Sequence, residues 1–151
     1  MKQTPQEQQI AARMAPGVLS REGFLDGDRR ALAEIIDTDR SAVESAGLTG
    51  EQLADGLEAV LKAAMAAMGR EVAVGGWTAR YREAMGRIPC PWGGCGVFPK
   101  GEVEMTQPTG GGVLRFTPLS VHLIRRHSFY QGRGTRYRLE PLVLARALGM
   151  I

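Results

Sequence analysis

Both cysteines and both histidines of this 151-residue chain fall between positions 90 and 127, in the order Cys90, Cys95, His122, His127. The first pair reads C-P-W-G-G-C and the second H-L-I-R-R-H, so four residues separate the members of each pair. Two thiols followed by two imidazoles form the ligand set of a tetrahedral zinc site. If one ion holds all four, the chain between them must close on itself. The Pro-Trp-Gly-Gly stretch suits that closure, because it reads as a tight turn with glycine where a positive φ is needed. The histidines follow T-P-L-S, in which Thr117 suits a helix cap and Pro118 the first helical position. One pair is therefore expected on a knuckle and the other on a helix.

The spacing of the histidines sets a condition. At 3.6 residues per turn, positions five apart differ by about 140° around the axis. His122 and His127 are expected to flank the Leu119/Leu123 stripe and to reach one ion through a tightened or unwound turn near Arg126-His127. Four protein ligands close the coordination shell, whereas a catalytic zinc keeps one position for water. The metal is expected to be structural zinc.

The segment Cys90–His127 resembles a two-cysteine, two-histidine zinc finger or a treble-clef variant, with knuckle, hairpin and helix in that order. The run H-L-I-R-R-H-S-F-Y with the arginines after it is similar to the bacterial Ros/MucR-type fingers, which are transcriptional regulators. The likeness covers about 40 residues of the C-terminal half. The spacer between Cys95 and His122 is longer than in a compact finger, and its glycine-rich tip has no counterpart there. The resemblance implies a nucleic-acid-binding or regulatory role.

Charge points the same way. The net +3 hides a division: residues 1–69 carry seven Lys/Arg against eleven Asp/Glu, and residues 70–151 carry twelve against five. Arg125, Arg126, Arg133, Arg136 and Arg138 crowd the segment after the second pair, with Tyr130 and Tyr137 among them. Arginines contacting phosphates and aromatic rings stacking on bases are the expected use of such a segment. The alternatives are a basic face that pairs with the acidic N-terminal half, or a protein-interaction scaffold that meets an acidic protein surface.

Nothing reads as an active site. Both histidines are assigned to the metal, which leaves no Ser–His–Asp set. No G-x-x-x-x-G-K motif is present, and Gly110-Gly111-Gly112 lacks a following lysine. The acids Asp26, Asp28, Glu34, Asp37 and Asp39 read as caps and solvent-face residues. No apolar run reaches the about 18 residues of a membrane span, and the polar N-terminus lacks a secretion signal, so the cytoplasm is the expected location. In a reducing compartment two nearby thiols suit a metal better than a disulfide.

The pattern predicts an α+β fold: residues 1–69 form a helical region, residues 70–151 a zinc-binding hairpin and helix region, and together they make one compact unit. A first helix is expected over Thr4 to Ala15. A second runs from about Asp28 to Ala46, with Asp26 or Asp28 offering the N-cap and a break expected near Asp37-Thr38-Asp39. A third is opened by a Thr49/Gln52 capping box and carries the stripe Leu53, Leu57, Val60, Leu61, Ala64, Met68. Met65 and Met68 read as core filler, and the second and third helices as an antiparallel hairpin. Period-two alternation then predicts a hairpin of E-V-A-V with W-T-A-R-Y-R-E-A-M around Gly75-Gly76. A second hairpin is expected from Gly96 to Thr117, with Pro99 on an edge. Helices are expected at Pro118 to about Tyr130 and at Pro141 to Leu148, with a mobile or strand-like run between them.

Overall fold

The computed structural model describes residues 4–151. Among these residues the class is α+β, with five helices, a four-stranded antiparallel sheet and a separate two-stranded ribbon.

Helix α1 spans Pro5–Arg13 and is capped by Thr4, whose hydroxyl accepts the Glu7 N–H at 3.1 Å. Helix α2 spans Leu32–Ser45 without a break at residues 37–39. It starts later than the sequence suggests because Asp28 is engaged elsewhere. The Asp28 carboxylate accepts hydrogen bonds from the Arg30 guanidinium and from the Arg133 N–H, which pins the loop before α2 to the C-terminal half. Helix α3 spans Gly50–Ala66 and carries the expected capping box at Thr49 and Gln52. Its buried stripe ends at Ala64. Met65 is 46% exposed and Met68 89%, so neither fills the core as expected, since Met68 already lies past the helix at φ 54.

Strands β1 (Val72–Val74) and β2 (Trp77–Arg82) form the first hairpin in the expected register, with Val74 opposite Trp77. Trp77, Ala79 and Tyr81 face the core, while Arg80 and Arg82 face out. The expected second hairpin resolves into two pairings. Strand β3 (Arg87–Pro89), which the sequence pattern did not reveal, pairs with β4 (Val97–Pro99) to form the ribbon that brackets the cysteine knuckle. Strand β5 (Glu102–Thr106) then pairs with β2 on one side and β6 (Val113–Phe116) on the other, giving the order β1-β2-β5-β6. Pro99 closes β4, since proline has no N–H to continue a ladder. Lys100-Gly101 carries the chain from one sheet to the other.

Helix α4 spans Pro118–His127 and α5 spans Pro141–Ala147. Helix α4 stops three residues before the expected end. Ser128 adopts a left-handed conformation (φ 52), and the Phe129 N–H donates to the Leu123 carbonyl at 3.1 Å, which terminates the helix as a Schellman turn.

Helix α4 separates two hydrophobic cores. On one side, Val121 and Ile124 join α3, the main sheet, Tyr130, Leu139 and α5. On the other, Leu119 and Leu123 join Ile10, Met14, Phe24, Ile35, Ile88, Cys90 and Phe129. Each fully buried leucine contributes roughly 1.5–3 kcal/mol. Helix α3 packs mainly along α4 and β2, while α2 packs against α5 and α1, so the two are joined end to end in sequence but have different partners. Both cores draw on residues from before and after position 69.

Candidate metal centre

The knuckle Cys90–Cys95 is a turn closed by the Gly93 N–H donating to the Cys90 carbonyl at 3.0 Å. Gly93 and Gly94 take φ of 81° and 71°, a conformation that costs a side-chain-bearing residue strain. That bend lets the two sulfurs face the same way. Arg13 fixes the knuckle from outside: its guanidinium donates to the Pro91 carbonyl at 2.5 Å and to the Trp92 carbonyl at 3.3 Å.

Helix α4 supplies the imidazoles. It remains α-helical through His127, so the expected unwinding near Arg126-His127 does not occur before the helix ends. Both rings nonetheless reach the knuckle without that distortion. Their centroids are 5.4 Å apart and nearly perpendicular. Two aromatic neighbours set their orientation. Trp92 stacks on His127 at 4.0 Å with 5° between planes, and Phe98 lies against His122 at 4.7 Å. Trp92 meets Phe129 edge-on at 5.5 Å, which ties the knuckle to the core.

One donor atom from each of Cys90, Cys95, His122 and His127 lies within 4.8 Å of the other three. The His127 Nε2 is 3.5 Å from the Cys90 sulfur and 3.7 Å from the Cys95 sulfur. A tetrahedral ion with metal–sulfur and metal–nitrogen bonds of about 2.3 and 2.05 Å separates those atoms by about 3.6 Å. His122 Nε2 is buried and has no hydrogen-bond partner among the described residues. An orphaned buried nitrogen costs about 1–3 kcal/mol, and a bound cation would satisfy it.

Burial dominates the electrostatics. It pushes the Cys90 thiol up to about 11, with the neighbouring Cys95 sulfur adding to the rise. It pushes His127 down to about 4, assisted by His122 and Arg126, and it lowers His122 as well, assisted by Arg126 and Arg125. Without a cation, burial therefore favours the neutral forms of Cys90, His122 and His127. A divalent ion would reverse the preference of the thiols, since metal ligation deprotonates them. The group could hold a metal ion, and its two sulfurs and two nitrogens are the donor chemistry of a tetrahedral site.

The arginines and tyrosines singled out in the sequence are dispersed. Arg125 binds Asp55 and Glu58 on α3 at 2.6 and 2.9 Å. Arg136 binds Glu102 at 3.0 Å, and its guanidinium lies 5.9 Å from the Tyr137 ring centre. Arg138 is bonded to Asp39 and Glu140, with its side chain 8% exposed. Tyr130 is 2% exposed and packed in the core, so neither it nor Arg138 presents a face to solvent. Arg126 and Arg133 are exposed and make no ion pair among the described residues. The acidic and basic halves thus meet within one chain, at Arg125 with Asp55 and Glu58 and at Arg138 with Asp39.

Arg13, Trp92 and Phe98 position the site and were not identified from the sequence. Trp92 sits between the cysteines, where a ring next to the donors was a usable signal. Arg13 lies far upstream, and nothing local marks it. No helix among the described residues is long and apolar enough to cross a membrane. The chain matches no family model, no curated protein and no solved structure.

Proposed function

We propose that this protein is a zinc-stapled binding module in which the metal is structural and the recognised partner is a nucleic acid. The observation that carries the metal half of this reading is the convergence of four donors within 4.8 Å around a buried, unpartnered His122 nitrogen. Four protein ligands leave no position for a reacting water. The ion would join the β3–β4 ribbon to α4, next to a core in which α1 also takes part.

The partner half rests on Arg126 and Arg133, whose charges are not spent on carboxylates among the described residues. Arg126 lies in the last turn of the helix that carries both histidines, and Arg133 lies in the loop after it.

Elemental analysis of the purified protein tests the first half. One zinc per chain is expected in the parent and none in Cys95→Ser or His122→Ala. A metal-free parent would refute it. Fluorescence anisotropy with labelled duplex and single-stranded oligonucleotides tests the second. Phosphate contact predicts affinity that falls linearly with log salt, and Arg126→Ala with Arg133→Ala should weaken binding and flatten that slope. Salt-independent or absent binding removes the nucleic-acid reading and leaves the metal reading intact.

A further inference from the structure

The β3–β4 ribbon also borders a cleft, at Ile88. The cleft, of about 280 Å³, opens between the loop before α2, the end of β4 and the segment after α4. It lies just below the usual range for ligand pockets, about 300–1,000 Å³, and it combines apolar walls from Phe24, Ile88 and Leu119 with polar groups.

Gln131 lines this cleft and is 4% exposed. Its backbone carbonyl accepts from Arg138 at 2.8 Å, but its side-chain amide bonds no described residue. The backbone at Gln131 has φ 69, where glycine is the unstrained choice. The next residue is held fast: the Gly132 N–H donates to the Phe24 carbonyl at 2.8 Å, and a Cβ added there would lie 2.5 Å from the Leu25 carbonyl oxygen. The fold therefore holds a glutamine rigidly, in a glycine's conformation, with its amide hydrogen-bonding capacity unused.

The charge around the cleft is asymmetric. Arg21 and Lys100 line it and make no ion pair among the described residues, while Arg136 is neutralised by Glu102. Glu22 is the one acid in the lining. The N-terminus of the ten-residue helix α4 also opens here through Thr117 and Leu119, adding the positive end of its dipole.

We propose that this cleft binds a small organic carboxylate. The carboxylate is drawn by Lys100, Arg21 and the start of α4, the Gln131 amide donates a hydrogen bond to it, and its apolar body lies against Phe24 and Ile88. The proposal goes beyond the nucleic-acid reading and does not depend on it. Because Ile88 and Lys100 flank the metal ribbon and Arg21 and Phe24 belong to the N-terminal loop, an occupant would bridge the two.

The test is an NMR titration of the isotope-labelled, metal-loaded full chain with benzoate, phenylacetate and hexanoate, and with benzamide as the neutral counterpart. At least one carboxylate should give saturable shifts at the Gln131 side-chain amide and at Gly23 and Gly132, with benzamide at least tenfold weaker. Lys100→Met should weaken that carboxylate at least fivefold with the spectrum otherwise preserved. Gln131→Gly should weaken it similarly without lowering the melting temperature, since glycine relieves the backbone while removing the amide. The proposal is overturned if none of the three carboxylates gives saturable shifts at millimolar concentration, if benzamide binds as well, or if both variants bind like the parent. Zinc content and oligonucleotide binding, read on the same samples, separate failure here from failure of the metal or nucleic-acid readings.

Discussion

Replacing His127 with phenylalanine separates the metal from the packing around it. The imidazole stacks on Trp92 at 4.0 Å, and its Nε2 faces the two sulfurs at 3.5 and 3.7 Å. Phenylalanine keeps a flat ring, so the stack, worth about 0.5–1.5 kcal/mol, is retained while the donor nitrogen is lost. Structural zinc sites of this kind bind with about 10–16 kcal/mol of apparent free energy at neutral pH. Shared among four ligands, that is roughly 2.5–4 kcal/mol each, or about a 10²–10³-fold loss of zinc affinity on removing one. In the metal-free protein the sign reverses. There the substitution removes a nitrogen from a half-buried site where burial disfavours its charged form, so stability should be unchanged or slightly higher. Competition against a chromophoric chelator under reducing conditions gives the affinity, and urea denaturation with excess chelator gives the metal-free stability. A phenylalanine variant that binds zinc within threefold of the parent would show that His127 is not a ligand, and the four-donor reading would fall.

Three further outcomes follow from the same contacts. Chelation should deprotect backbone amides in the knuckle, the β3–β4 ribbon and α1 in hydrogen exchange, while α3 and the main sheet stay protected, because the metal side of α4 is a separate core; uniform loss of protection would refute that division. The Arg30 guanidinium holds the Asp28 carboxyl well below the usual carboxylate range. Its stabilisation is therefore complete above the ordinary carboxylate pKa of about 3.9 and is lost as pH falls below that value toward the depressed one. Asp28→Asn should accordingly cost about 1–3 kcal/mol at neutral pH by urea denaturation, with the gap to the parent narrowing in strong acid, and a gap that is constant with pH would count against the ion pair. Arg138→Met leaves Asp39, whose side chain is 5% exposed, without its partner; unfolding free energy should drop by about 3–5 kcal/mol, and Asp39→Asn in the same background should recover part of it.

Local sequence was sufficient wherever an interaction stays within a few residues. The Thr49/Gln52 box, the Thr117-Pro118 start, the Gly75-Gly76 hairpin and the Trp77-Ala79-Tyr81 alternation are all set by neighbours within one turn or one ladder step, and all are present. The four clustered donors were legible for a related reason: thiol and imidazole are rare in this chain, and their chemistry permits few other joint uses. Strand β3 escaped because three residues carry too little periodicity to register. The break expected in α2 is absent because tertiary packing of Leu32, Ile35 and Val43 outweighs the weak helix propensity of Asp37-Thr38-Asp39. The basic C-terminal segment was legible as charge, but its use was not.

The sequence by itself determined which atoms can ligate and where helices start, since donor chemistry and capping are properties of a few adjacent residues. Tertiary structure alone decided that Arg13 braces the knuckle, that Arg125 and Arg138 are consumed by carboxylates on α3 and α2, and that Gln131 faces a cleft. Those outcomes depend on contacts between residues dozens of positions apart, and a charge or an amide in the sequence does not say which distant group, or none, the fold will bring against it.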